Sequence, residues 1–205
     1  MNRSTVYQHA LALLGEVNYK QHTGTDGICY QEYPDAVRQA NAMSNWSFAR
    51  SKRVLKPLGK EASDGIFVYN LPADCLRVLE LRDTVTGQKV RHFEIYGRTL
   101  EIQGHPSDNV TLVYTSDILA SRDELPDEAP LFCKYVITLL AARICPTITG
   151  NPQLTQSLEA QAQQIYFDAL TQDRQQARSN DQHPLKGIMD SNISITTSRK
   201  SQHFY

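Results

Sequence analysis

Leu131-Phe132-Cys133-Lys134-Tyr135-Val136-Ile137-Thr138-Leu139-Leu140-Ala141-Ala142-Arg143-Ile144, running on into Cys145-Pro146-Thr147-Ile148-Thr149-Gly150-Asn151-Pro152, is the stretch whose reading decides the fold. Phe132, Tyr135, Val136, Leu139 and Leu140 step by three and four, so they share one face of a helix. Leu131, Ile137, Ala141, Ala142 and Ile144 fill much of the remaining surface. A helix apolar nearly all round must be buried on most sides. About 15 residues of helix span about 22 Å, short for a bilayer, and Lys134 and Arg143 interrupt the run. It reads as a core helix. Cys145 to Gly150 predicts a break, after which Asn151 serves as N-cap and Pro152 takes the first helical position. Leu154, Leu158, Ala162, Ile165, Ala169 and Leu170 then form one stripe of an amphipathic helix of about 27 residues. Gln156, Glu159, Gln163, Asp168, Gln172 and Gln175 occupy its other faces. Upstream, Asp123, Glu124, Asp127 and Glu128 precede the core helix, where the macrodipole favours negative charge.

Working outward to the N-terminus, Ser4 is the expected N-cap of a helix carrying Val6, Tyr7, Ala10, Leu11, Leu13 and Leu14, with Gly15 as its stop. Glu16 to Gly27 reads as a loop. A second helix is expected from about Tyr30 to Ser44, its regular part starting at Pro34, with Ala36, Val37, Ala40 and Met43 on its apolar side. After Trp46 the pattern changes to strands. Ile66-Phe67-Val68-Tyr69 is β-branched and aromatic, and Leu71-Pro72-Ala73-Asp74 is a turn. In Cys75 to Leu81 the apolar phase slips between Val78 and Leu79, which predicts a bulge or burial on both faces. Val90 to Ile95 and Thr99 to Ile102 flank Tyr96-Gly97-Arg98 as a hairpin. Val110, Leu112 and Tyr114 alternate along a last strand. The order of elements predicts an α+β fold in which one antiparallel sheet is inserted between the halves of a helical bundle. Residues 1–45 and 122–180 form the bundle, 46–121 the β domain, and 181–205 an extended C-terminal arm.

The chain has 205 residues and a net charge of −1. Dedicated nucleic-acid binders carry a basic excess, because their affinity comes from neutralising phosphates. Tight nucleic-acid binding by the whole chain is therefore disfavoured, and charge can act only locally. Arg50, Lys52, Arg53, Lys56 and Lys60 supply the one local basic segment. It reads either as a strand edge guarded by charge or as a contact for phosphates or an acidic partner. The N-terminus lacks the apolar run of a secretory signal. Cys29, Cys75, Cys133 and Cys145 include no close pair, which favours free thiols in a reducing compartment. The arm carries Ile188, Met189, Ile193, Ile195, Phe204 and Tyr205, an unusual apolar load for a solvated tail. Its Ile193 and Ile195 alternate like a strand that pairs with a partner.

Catalytic signatures are scarce. No nucleophile elbow, phosphate loop, dinucleotide fingerprint or zinc-protease motif occurs. His92-x-Glu94 lacks the cysteine pair of a deaminase. Cys29 would need His9 or His22 as a partner. Asp123 with Asp127 reads more simply as a helix start than as a carboxylate pair. No cofactor, metal or catalytic residue is assigned.

Several packing motifs, in order, resemble the tail tubular protein A, or head-to-tail adaptor, family of short-tailed bacteriophages. They are Leu11-Ala12-Leu13-Leu14-Gly15-Glu16, Trp46-Ser47-Phe48-Ala49, Leu71-Pro72-Ala73-Asp74-Cys75-Leu76-Arg77-Val78, Gly97-Arg98-Thr99-Leu100, and Leu125-Pro126 through Phe132 to Leu140-Ala141-Ala142 before a long helix. The likeness covers residues 4 to 178. It implies a virion protein of the tail, assembled in the host cytoplasm and working without an enzymatic step. Such a protein forms a dodecameric ring, with the portal protein above it, the tail nozzle protein below, and viral DNA passing through the centre. No membrane is involved. The arm is then expected to contact the portal, and the polar face of the long helix offers a subunit contact. The rival readings are a nucleic-acid-binding module using the basic 50–60 segment and a small tail-associated hydrolase using Asp123, Asp127 and Glu128.

Overall fold

Two hydrophobic clusters organise the chain in the computed structural model, which describes residues 1–15, 25–61, 65–104 and 109–181. The first belongs to helices α1 (Arg3–Leu13), α2 (Thr25–Ala42), α4 (Pro130–Ile148) and α5 (Pro152–Asp181), with a short α3 (Ile118–Ser121) beside them. The second lies between two antiparallel sheets. The fold class is α+β.

Helix α4 is the centre of the first cluster. Phe132, Val136, Leu140, Ala141, Ile144 and Cys145 are fully buried or nearly so, as an all-round apolar helix requires. The expected break at Cys145 does not occur. The helix runs through Pro146 to Ile148, 19 residues in all. Pro146 cannot donate to the Ala142 carbonyl, but one turn later the Thr149 N–H and Oγ1 both reach the Cys145 carbonyl, at 2.9 and 3.0 Å. Gly150, at φ +61°, makes the actual stop. At this length α4 is apolar enough to cross a membrane, yet 67% of the relevant window is buried inside the protein. Asn151 caps α5 as expected, its Oδ1 accepting from the Gln153 and Leu154 N–H groups at 3.1 Å each. Leu158, Ala162, Ile165 and Ala169 then face the cluster.

The N-terminal helices differ from expectation at their starts. Asn2, rather than Ser4, caps α1, accepting from the Thr5 N–H at 2.8 Å and its hydroxyl at 2.7 Å. Gly15 ends that helix in the left-handed region, at φ +87°. Helix α2 starts at Thr25 and keeps Pro34 in its interior. A proline there costs about 3 kcal/mol of helix propensity. Burial of Cys29, Tyr33, Ala36, Val37 and Ala40 along one side outweighs it. Met43, expected on that apolar side, lies past the helix end and is half exposed.

Among the described residues seven strands form two sheets in place of the single one expected, with β1 (Arg50–Leu55) and β2 (Pro57–Glu61) extending the β region upstream. The others are β3 (Ile66–Asn70), β4 (Cys75–Asp83), β5 (Phe93–Tyr96), β6 (Thr99–Gln103) and β7 (Val110–Ser116). One sheet has the order β1-β7-β4 and the other β2-β3-β6-β5. Alternation puts Leu55, Leu81, Val110, Leu112 and Tyr114 of the first against Phe67, Tyr69, Leu100 and Ile102 of the second. The result is a small sandwich. The β5–β6 hairpin turns at Gly97, φ +58°. Strand β4 carries register shifts between Cys75 and Arg77 and between Val78 and Glu80, where the slipped phase predicts a bulge.

Candidate functional site

The basic segment does not stay together. Arg50, Lys52 and Arg53 lie on β1, an edge strand; Lys56 follows it, and Lys60 sits on β2 of the other sheet. Within β1 the pleat separates them again. Arg50 and Lys52 pair with Thr115 and Val113 on the outer face of the sheet, whereas Arg53 pairs with Leu112 on the inner phase.

What joins Arg50 and Lys52 is a pair of residues that sequence reasoning missed. Arg77, Glu80 and Arg82 of β4 are the partners of Thr115, Val113 and Thr111. Five residues apart, Arg77 and Arg82 would point to opposite faces of a regular strand. The bulge at Val78–Glu80 inserts one residue and brings them to the same side. The outer face of this sheet therefore carries four cations, Arg50, Lys52, Arg77 and Arg82, against one carboxylate. Glu80 accepts from Arg82 at 2.7 Å. The phase slip between Val78 and Leu79 was the available signal.

Part of this charge serves the joint between the two clusters. Arg77 donates to the Ala42 carbonyl at the end of α2 at 2.9 Å and to Asn45 Oδ1 at 3.1 Å. Arg50 donates to the Asn45 carbonyl at 3.4 Å. Beside them, buried Asn41 donates to the Ser116 carbonyl at 2.7 Å, and Arg38 pairs with Asp117 at 3.0 Å. Asp173 of α5 accepts from the Ser47 N–H at 3.1 Å and from its hydroxyl at 2.5 Å. Asp74 completes the joint. Its carbonyl accepts from the Asp117 N–H at 2.7 Å, and its carboxylate from the Ser116 and Tyr114 hydroxyls at 2.5 and 3.1 Å. Burial alone would raise the Asp74 pKa. The Ser116, backbone and Tyr114 hydrogen bonds, with Arg53 nearby, outweigh burial and hold it below the ordinary carboxylate value.

The opposite side of the sandwich has the opposite sign. Glu94 of β5 pairs directly with Glu101 of β6, on the face away from the core. Like charges placed so are destabilising, by about 0.2–1 kcal/mol. Glu94 accepts a hydrogen bond from the Tyr96 hydroxyl, but among the described residues no cation pairs with either glutamate. His92 and Arg91 stand beside them in a shallow recess also lined by Ile66 and Gln103.

A third surface is an open groove of about 450 Å³ between α2, α4 and α5. Met43 and Phe167 are half exposed at its rim, and Tyr135, Leu139 and Tyr166 line its wall. Arg143, also in the lining, is held by Glu32 at 2.8 Å and Gln39 at 3.1 Å.

The remaining candidates separate. Asp127 pairs with the Met1 amino group and Asp123 with Arg3 at 3.3 Å, so these acids tie α1 to the α4 approach. They stand ahead of the helix start, as expected, with Asp127 and Glu128 directly before Ala129, the N-cap of α4, and none in its first turn. Cys29 is buried in the helical cluster and His9 is exposed, while His22 lies outside the described residues. No disulfide joins the four cysteines. Burial pushes the Cys133 thiol up to about 11, which makes it a poor nucleophile. Among the described residues no group of three or more His, Cys, Asp or Glu comes together to hold a metal ion. Ile188, Met189, Ile193, Ile195, Phe204 and Tyr205 lie outside the described residues. No protein-family model matches the chain, and no curated protein matches it.

Proposed function

We propose that this chain is a structural, non-enzymatic head-to-tail adaptor of a short-tailed phage. It forms a ring between the portal protein and the tail nozzle, in the virion tail, with the genome passing through. In this reading the helices are a bundle closed by both ends of the chain, and the β sandwich is an insertion that projects from it. One observation carries the reading. Helices α1, α2, α4 and α5 contribute to one hydrophobic cluster, while the strands between them enclose another. This arrangement suits a building block of two parts, and the polar contacts among the described residues serve to position those parts.

The charge balance supports the same view. DNA must slide through a conduit, and a strongly cationic lining would hold it by counterion release. The arm from His183 to Tyr205 docks on a neighbouring ring, the portal. Deleting it is expected to leave the fold intact and to abolish attachment of tails to filled heads. Normal attachment by the truncated chain would refute the arm's role. Imaging the chain mixed with portal rings tests the adaptor reading as a whole.

A second reading, a nucleic-acid-binding module, draws on the four cations that share the outer face of the three-stranded sheet. It requires strong duplex binding at low salt with a steep salt slope. A flat titration excludes it.

A further inference from the structure

We infer that the two outer faces of the sandwich are the two halves of one subunit contact, each face receiving the opposite face of the next copy. The inference deepens the ring reading and rests on it. On one side Lys52 stands exposed beside Arg50, Arg77 and Arg82, and no carboxylate pairs with Lys52 among the described residues. On the other, Glu94 and Glu101 pair on adjacent strands, and although Arg91 shares their recess, no cation forms an ion pair with either among the described residues. Each face lacks what the other supplies. Both sheets bury their inner faces on the same core, so the outer faces lie on opposite sides of the domain.

That geometry has a consequence for symmetry. A two-fold dimer would need one self-complementary patch, whereas two different patches on opposite sides join head to tail and propagate until a ring closes. Exposed apolar groups lie among the charges on both sides, Val54 on the basic face and Tyr96 on the acidic one. The basic face, three strands wide and about 20 Å long, covers about 300 Å². Stable interfaces bury about 800 Å² per partner. The charged faces thus set register and encounter, and other surfaces of the ring supply the rest.

The test uses the full chain and two double variants, Lys52→Glu with Arg82→Glu, and Glu94→Lys with Glu101→Lys. Sedimentation at low salt and high protein concentration should show self-association for the parent, weakening as salt rises. Each double variant should lose it by at least about tenfold, the scale of close interfacial charge pairs. Mixed together, the two variants meet through a native pair of faces at one contact and a charge-reversed pair at the next, so they should assemble in alternation and recover the association that each lacks alone. The chain carrying all four reversals should associate like the parent, which also shows that the substituted chains fold. Parent-like association by either double variant, failure of the mixture to pair, or a parent that stays monomeric would overturn the inference. Duplex DNA bound through Lys52 and Arg82 without self-association would overturn it too. Variants that still form rings on portal particles would sink the face assignment and leave the adaptor reading standing. Parent chains that associate through these faces but never mount on a portal would do the reverse.

Discussion

The helical cluster and the β sandwich solve burial in different ways. The helices surround α4 on most sides, and aromatic rings knit the ends together. Trp46 lies 5.2 Å from Phe132 and 6.1 Å from Tyr166, with its indole N–H donating to the Ala40 carbonyl at 2.9 Å. The sandwich is thinner, with one buried layer and two charged outer faces. Between them lies a joint made of hydrogen bonds. The difference teaches where rigidity and recognition reside: a large dry core tolerates few polar groups, whereas a two-layer sandwich leaves half of its side chains free to meet a partner.

The largest expected effect breaks the helical side. Trp46→Ala removes a fully buried ring and should cost about 3–5 kcal/mol in urea unfolding followed by circular dichroism. Leu112→Ala, at the centre of the sandwich, should cost about 2–5 kcal/mol. A much smaller loss would mean that the sheets pack loosely. Asn41→Leu leaves the Ser116 carbonyl buried without its donor and should cost about 1–3 kcal/mol. Because Trp46, the sole tryptophan, reports only on the helical cluster, this variant also tests coupling. Fluorescence and far-ultraviolet melts should coincide in the parent and separate once the joint is cut.

Acid should weaken the joint next. The Asp74 carboxyl is held below its ordinary value of 3.8, so its ionised form favours the folded state. That contribution is complete above about pH 5 and is lost as pH falls through the depressed folded value. Asp74→Asn should therefore flatten the acid limb of a stability–pH curve relative to the parent. The smallest effect concerns a turn. Gly150→Ala, at φ +61°, should cost about 1 kcal/mol without changing either core.

Much of the helical half was legible from residue spacing. Asn151-Pro152 marked the start of α5, and the stripe from Leu154 to Ala169 named its buried side, because a 3.6-residue period needs no partner to be seen. The boundaries were less so. In isolation Pro34 looks like a helix start and Pro146 like a stop, and only the burial around them explains why α2 begins upstream at Thr25 and α4 continues. Asn2 outcompeted Ser4 as cap because its carboxamide reaches both donors of Thr5. In the β half, the slipped phase at Val78–Leu79 announced an irregular strand, but its effect on Arg77 and Arg82 depended on which strand lay beside it.

By itself the sequence determined local geometry: which segments are helical, where Asn and Gly punctuate them, and which residues alternate along each strand. These follow from neighbours within one or two turns, through backbone sterics and side-chain period. Only the tertiary structure decided that the strands divide into two sheets and that the run from Arg50 to Lys60 splits between them. It also set Glu94 against Glu101 and gathered four cations from two distant segments onto one face. Register is a relation between strands far apart in the chain, and a single inserted residue reverses every side chain beyond it.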